Sequence, residues 1–117
     1  MIQSVRERAP LQFPTTNQKQ NIMKAIIRKY SGKGAKELID TLEKHAAELN
    51  TLMGSVKGML SYTLARSGDG GFSVTVCQDQ AGLDESTQKA KDWIAQNAAN
   101  TGAAAPEISA GSVIKHL

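Results

Sequence analysis

The chain has 117 residues, of which 40 % are hydrophobic, and a formal charge of +3, which suits one small domain with a single modest core. No apolar run approaches the roughly 20 residues of a membrane-spanning helix, so no membrane partner is expected. Residues 1–22 hold +2 of the charge, and because the remainder is nearly neutral, no nucleic-acid partner is expected either.

The first 22 residues are predicted to form a flexible N-terminal leader. They lack sustained periodicity, contain Pro10 and Pro14, and end in a polar run over residues 15–21. Such a segment buries too little to offset its ordering entropy. We therefore expect Met23 to be the natural start or the leader to be a dispensable tail, with a transit peptide as the alternative. The predicted domain is 23–117.

A strand followed by a helix opens the predicted domain. Residues 23–30 are rich in β-formers, and Ser31–Gly34 ends the strand. We interpret Gly32-Lys33-Gly34 as a turn rather than a phosphate loop, because it lacks the spacing and hydroxyl of the Walker pattern. Apolar residues then recur at spacings of three and four, which predicts one amphipathic helix of about five turns ending at Gly54. They are Leu38, Ile39, Leu42, Ala46, Leu49 and Met53.

A β-hairpin is predicted from Met59 to Gln78, with its turn at Ser67–Gly71. Alternation in the second arm places Phe72, Val74 and Val76 on one face and Ser73, Thr75 and Cys77 on the other. Because the helices need large apolar partners, we assign the first set to the helix side. The second set is assigned to the open side of the sheet.

A second helix and a last strand complete the chain. Asp84 is the predicted N-cap of the helix, and its weaker apolar face is formed by Ala90, Trp93, Ile94 and Ala98. A small-residue linker over residues 100–106 precedes a strand from about Ile108 to His116. The order β-α-β-β-α-β predicts an α+β, ferredoxin-like domain, in which two helices cover one face of a four-stranded antiparallel sheet.

Few side chains suggest chemistry. His45 and His116 are the only histidines and have no carboxylates at a metal-ligand spacing, so neither a metal nor a cofactor is expected. Cys77 is the only cysteine, which excludes an internal disulfide and fits a cytoplasmic location; we interpret it as a packing residue. The candidates for lining a ligand cavity are Ser61, Thr63, Ser73, Thr75, Cys77 and His116. The predicted core anchors are Tyr62, Phe72, Val74, Val76 and Trp93. RNA binding on the sheet is not expected, because the positions that should hold stacking aromatics do not.

From Met23 to Leu117 the chain resembles the dimeric α/β-barrel group, in particular the antibiotic-biosynthesis monooxygenase and stress-responsive barrel families. The resemblance rests on Ser61–Leu64, the Gly68–Cys77 hairpin, Asp84–Ser86 and Lys91–Ile94. It implies a homodimer in which two open sheet faces meet and enclose a cavity. The group includes cofactor-free oxygenases, haem-degrading enzymes and proteins of no known activity. Its haem-degrading branch uses a histidine on the second helix, and residues 84–99 contain none, so haem is not expected.

Two hypotheses about function remain open. The first is a homodimeric barrel that binds a small, partly apolar molecule and acts as a cofactor-independent monooxygenase. The second is a non-catalytic dimerisation or interaction module. A convergent acid or base on the cavity wall would favour the enzyme. The sequence identifies no catalytic residue, and whether the chain is an enzyme is left undecided at this point.

Overall fold

The computed structural model describes residues 22–117, so the predicted leader 1–22 lies outside the described residues except for Ile22. Four strands and three α-helices are present within that range. They are β1 Lys24–Tyr30, α1 Ala35–Lys44, α2 Ala46–Gly54, β2 Met59–Ser67, β3 Gly70–Cys77, α3 Gln80–Asn97 and β4 Glu107–Ser112, with a short 3-10 turn at Ala99–Thr101 before β4. No helix among these residues is long and apolar enough to cross a membrane.

The strands form one antiparallel sheet in the order β2-β3-β1-β4. This order and the alternation of strands and helices are those of a ferredoxin-like domain, so the predicted fold class is confirmed. The two central strands pair with Arg28 opposite Ser73 and Ile26 opposite Thr75. Directly opposed residues of an antiparallel pair share a face, so these four side chains point to the same side of the sheet.

The predicted first helix is divided in two. His45 has φ −108° and ψ 26°, ends α1 and begins α2. The apolar stripe is preserved across this break, because Leu42 before it and Leu49 after it are both buried. Neither glycine nor proline lies at the break, so the local sequence does not predict it.

The helix predicted after the hairpin, which is α3 in the structure, begins earlier than predicted. Asp79, not Asp84, is its N-cap, and the Asp79 carboxylate accepts a hydrogen bond of 2.9 Å from the Gly82 amide. Asp84 lies inside the helix and accepts from the side chain of Gln80. The last strand is shorter than predicted: it ends at Ser112, and His116 lies beyond it, exposed to solvent.

The assignment of the two sheet faces was wrong. The side chains of Ser73, Thr75 and Cys77 point toward the helices and are at most 3 % exposed, whereas Phe72 and Val74 lie half-buried on the open face. Small residues fit the helix side because the helices supply the bulk there. At Gly71 a β-carbon would lie only 2.9 Å from the Ile39 side chain of α1.

The main core lies between the sheet and the three helices. Its buried members are Tyr30, Ala35, Leu38, Ile39, Leu42, Leu49, Trp93 and Ala98. A second, smaller cluster contains Ile26, Cys77 and Leu83 at the start of α3. Tyr30 and Ile26 both belong to β1, so this central strand connects the two clusters and places the residue between them, Arg28, in the middle of the layer.

Candidate functional site

A small cavity lies in the main core beside Arg28. Its free volume is about 20 Å³, which is room for one or two water molecules. The sheet contributes Arg28, Tyr30, Tyr62, Leu64 and Ser73 to its wall. The helices contribute Leu42, Leu49, Met53, Ala90, Trp93 and Ile94. We call this space the inner cavity.

A larger apolar groove adjoins the inner cavity. It has a volume of about 270 Å³, and it shares Tyr30, Ala90 and Ile94 with the inner cavity. The rest of its wall comes from Leu38, Lys91, Ala95 and the segment 103–106. The two spaces are therefore neighbours separated by a few side chains, with the polar groups in the inner one and apolar surface in the outer one.

Arg28 is held in place by three hydroxyl groups. Its Nη1 donates to Thr75 Oγ1 at 3.3 Å, and its Nη2 donates to Ser86 Oγ at 3.1 Å and to Thr87 Oγ1 at 2.7 Å. Ser86 and Thr87 in turn donate to the Leu83 carbonyl one turn earlier in α3. Since the hydroxyls of Ser86 and Thr87 give their protons to the helix backbone, their lone pairs are free to face the guanidinium.

The charge of Arg28 has no counter-charge among residues 22–117. Arg28 is 2 % exposed, and among the buried residues of the range 22–117 it is the only charged one. Its Nε is buried without a hydrogen-bond partner, and no carboxylate of the described chain pairs with it. Burial lowers the pKa of Arg28 below its ordinary value, because the charged form has lost its water.

Two tyrosines frame the guanidinium. Burial raises the pKa of both Tyr30 and Tyr62 above the ordinary value, although the positive charge of Arg28 opposes the shift. The negative charge that Tyr30 would acquire also raises the pKa of Tyr62. At neutral pH both side chains are therefore protonated hydroxyl donors.

Trp93 forms part of the opposite wall, and its orientation is fixed from outside. Its indole Nε1 donates to Glu48 Oε2 at 2.8 Å, and the other oxygen of Glu48 lies 3.3 Å from His45 Nδ1. The His45 and Trp93 rings meet edge to face with centroids 5.4 Å apart. The His45 imidazole is thus partnered, and it lies behind the indole rather than on the cavity wall.

The cavity-lining residues proposed from the sequence are scattered. Ser73 lines the inner cavity and Thr75 holds Arg28. Alternation and register place Ser61 and Thr63 on the open face. His116 is exposed beyond β4.

Cys77 belongs to the smaller core cluster rather than to the inner cavity. Burial raises the pKa of its thiol, and the nearby carboxylate of Asp79 adds to the shift. A thiol in such surroundings stays protonated at neutral pH and is a poor nucleophile.

Among the predicted core anchors, Tyr62 and Trp93 line the inner cavity and Trp93 is 6 % exposed. Phe72, Val74 and Val76 share the opposite face of the sheet. Val76 is buried there, at 7 % exposed.

Sequence reasoning missed Arg28 and Glu48. A signal existed for Arg28, because alternation in β1 places it on the same face as Ile26 and Tyr30, where a cation is unusual. The signal for Glu48 was weaker and consisted only of its spacing of three from His45 on a helix. Its partner Trp93 is 45 residues away, and such a contact cannot be inferred from one sequence.

Within residues 22–117 no group of three His, Cys, Asp or Glu side chains could hold a metal ion. The wall of the inner cavity, taken over the same residues, contains neither a carboxylate nor an imidazole. Its polar groups are the guanidinium of Arg28 and the hydroxyls of Tyr30, Tyr62 and Ser73, because the indole N–H of Trp93 is donated to Glu48. Such a wall can bind an anion and donate hydrogen bonds, but it offers no strong base.

Comparison with known proteins gives similarity in structure only. Neither a family model nor a curated protein matches the chain. One similar solved structure is NE2512, a protein of unknown function from Nitrosomonas europaea; it is 15 % identical, covers 85 % of this chain and 95 % of its own, and has a TM-score of 0.62. Another is SnoaB, a cofactor-independent oxygenase from Streptomyces nogalater, at 15 % identity, 82 % and 97 % coverage, and a TM-score of 0.58.

A third similar structure comes from Chloroflexus aurantiacus and is provisionally named an antibiotic biosynthesis monooxygenase. It is 21 % identical, covers 81 % of this chain and 96 % of its own, and has a TM-score of 0.55. At these identities the likeness concerns the fold. The resemblance expected from the sequence is confirmed at that level: the chain has the ferredoxin-like fold of antibiotic biosynthesis monooxygenase-like proteins.

Proposed function

We propose that the chain forms a homodimeric α/β barrel in the cytoplasm that binds a small, partly apolar molecule and oxidises it as a cofactor-independent monooxygenase. The observation that carries the proposal is the wall of the inner cavity, where Arg28, Tyr30 and Tyr62 meet Trp93 and aliphatic side chains. Few polar groups converging in an apolar pocket are typical of a small-molecule site. The fold shared with SnoaB supports the choice of oxygenase chemistry.

The conversion of an electron-rich phenol to a quinone is the reaction that this wall suits. One oxygen atom of O₂ becomes the new carbonyl oxygen, and the other leaves as water with two hydrogens of the substrate, so atoms and electrons balance without an external reductant. The hydroxyls of Tyr30 and Tyr62 remain protonated at neutral pH. They can therefore donate to the phenolate oxygen, the substrate form that gives electrons to O₂ most readily.

The open face of the sheet supports the homodimer. Ile27 is 42 % exposed there, and cross-strand pairing places it beside Val74, with Phe72 further along the same strand. Within residues 22–117 the helices lie on one side of the sheet, and a contiguous apolar surface on the other side favours burial against a partner. Two copies meeting through this face bury the same residues twice, as a two-fold interface requires.

Oxygen uptake by purified protein tests the proposal. We expect 1,5-dihydroxynaphthalene to consume one O₂ per 5-hydroxy-1,4-naphthoquinone formed, followed by an oxygen electrode and by visible absorbance. Tyr62→Phe should lower kcat about tenfold or more if its hydroxyl acts on the transition state. The control Ser67→Ala alters the exposed end of the hairpin, away from the cavity and from the proposed interface, and should leave the rate unchanged. Uptake no faster than with heat-denatured protein, for this phenol and for smaller naphthols, would exclude the oxygenase.

The non-catalytic module stays as a second candidate because one observation favours it. Over residues 22–117 the cavity wall holds no carboxylate or imidazole to accept the substrate proton. A protein that is dimeric by sedimentation, binds ligands and yet consumes no O₂ would match that alternative.

A further inference from the structure

Arg28 is a buried cation whose compensation is incomplete. An isolated ion in a protein interior is costly, and buried charges are ordinarily paired. Arg28 is 2 % exposed, yet hydroxyls are its only hydrogen-bond partners in the part of the chain that the structure describes. A neutral residue of similar volume would fill this position at a lower electrostatic cost, so the charge itself requires an explanation.

Counting donors shows what is left over. A guanidinium has five N–H groups, and three of them are donated to Thr75, Ser86 and Thr87. The Nε–H has no acceptor and is buried, and one N–H of Nη1 is also unassigned among residues 22–117. These two free N–H groups do not form a fork, because the Nη2 hydrogen that lies parallel to Nε–H is already donated to a hydroxyl. A permanent cation with free donors that lines a cavity therefore matches an anionic acceptor that takes a single charge-assisted hydrogen bond.

The volumes of the inner cavity and of the adjoining groove limit the size and polarity of the rest of the ligand. The inner cavity has about 20 Å³ of free space, whereas the adjoining apolar groove has about 270 Å³. The body of a ligand therefore fits in the groove, and only a small group reaches Arg28. Among residues 22–117 Lys91 is the cation of the groove wall, but it is exposed to water, where an ion pair contributes little.

We propose that Arg28 binds the carboxylate of a small organic acid, with the apolar part of the acid in the groove beside Tyr30 and Ile94. This inference rests on the proposed function only in using the same cavity, and it names the ligand as an anion whether or not oxidation follows. A carboxylate fits better than a neutral phenol, since it is ionised at neutral pH and accepts a charge-assisted hydrogen bond from the cation.

Binding of three ligands of similar shape tests the inference. The probes are 2-naphthoate, 2-naphthamide and 2-naphthol, titrated at pH 7 into the full-length protein and followed by calorimetry and thermal shift. We expect 2-naphthoate to bind at least tenfold more tightly than the other two. Arg28→Met should abolish this preference, while Lys91→Met should leave it within about twofold.

Several outcomes would overturn the inference. They are equal binding of all three probes, no binding of 2-naphthoate by the wild-type protein, and a preference that survives Arg28→Met. Loss of the preference in Lys91→Met would assign the anion to the groove rim instead. Should Arg28→Met fail to fold, Arg28→Lys replaces it: a single ammonium in that place should weaken 2-naphthoate binding about tenfold while 2-naphthamide binding stays the same.

The two proposals fail separately. Binding is measured without turnover, so an acid-binding protein that consumes no O₂ would leave Arg28 as the anion site and exclude the oxygenase. Oxidation of 1,5-dihydroxynaphthalene with no preference for 2-naphthoate would do the reverse.

Discussion

At the scale of single residues, the candidate site depends on how the charge of Arg28 is stabilised away from water. Thr75, Ser86 and Thr87 surround Arg28 with oxygen atoms, and hydroxyls can orient toward a cation without adding a charge of their own. An aspartate at any of these positions would neutralise Arg28 permanently and remove its attraction for an anion. The three hydroxyls instead hold the guanidinium in the core and leave its positive charge able to attract an anion.

Alkaline pH should destabilise the protein through Tyr30 and Tyr62, the only two tyrosines of the chain. Burial raises the pKa of each above 10.0, so the stability that these groups contribute is fully present below pH 10 and is lost as pH rises through the folded-state values. The loss reaches up to about 1.4 kcal/mol per pH unit for each tyrosine. It is measured by urea unfolding from pH 8 to 11, with absorbance at 295 nm reporting ionisation.

The double variant Tyr30→Phe/Tyr62→Phe is the control for this prediction, because lysines titrate in the same range. Its stability should fall less steeply above pH 10 than that of the parent. Ionisation of both tyrosines near pH 10 in the native protein, with no change in stability, would mean that they are in contact with water.

At the scale of elements, the alternation of side chains in β3 determines which residues face the helices and which lie on the open face of the sheet. Val74→Arg should leave the protein folded but monomeric, since Val74 is half-buried on the open face and a two-fold contact there would bring like charges together. Thr75→Arg should prevent folding, because Thr75 is 0 % exposed and a second guanidinium would enter the layer beside Arg28. Circular dichroism and sedimentation velocity distinguish the two outcomes.

Ser67→Arg, at the exposed end of the hairpin, is the matched control and should be both folded and dimeric. A dimeric Val74→Arg would place the interface on another surface. A folded Thr75→Arg would contradict the burial of that side chain.

The same strand, β3, shows which part of the fold the sequence predicts and which part it does not. Alternation correctly grouped Ser73 with Thr75 and Phe72 with Val74, but it cannot say which group faces the helices when both sides of a sheet are to be covered. The assumption that the largest residues face the helices failed because α1 and α3 bring their own bulk, including Ile39 and Trp93. The order of elements, in contrast, follows from local periodicity and turn chemistry, which one sequence does contain.

The candidate site was less accessible to prediction than the fold. The site residues predicted from the sequence are hydroxyls, a thiol and a histidine, and they do not include Arg28, the charged residue at an inward position of β1. Arg28 is joined to Ser86 across 58 residues, and only the docking of α3 against the sheet shows that a buried charge and its acceptors coincide. Contacts of that range depend on tertiary packing rather than on local pattern.

At the scale of the whole molecule, the position of Arg28 affects how the layers separate. Two of its three hydrogen bonds go to α3, so lifting α3 from the sheet would return a charged group to water. The hydration of that ion favours the lifted state and partly offsets the apolar contacts that are lost. We therefore expect α3 to open locally at a lower free energy than the central strands.

Amide hydrogen exchange measures this difference. The amides of α3 should exchange faster than those of β3, and Arg28→Met should slow exchange in α3 at least tenfold while β3 changes little, because the variant gains nothing from exposing that position. Equal protection of α3 and β3 in the parent, with no effect of the variant, would show that the charge does not bias the opening.

An inner cavity of about 20 Å³ has room for little more than water, so the carboxylate of a ligand whose body lies in the groove reaches Arg28 when the layers part. Arg28, whose charge the ligand would neutralise, is also the group whose hydration favours the separation of α3 from the sheet. Ligand entry and ligand retention then have the same electrostatic origin. Without a bound anion, the hydration of Arg28 favours separation of α3 from the sheet. Once an anion neutralises Arg28, that contribution to opening is lost.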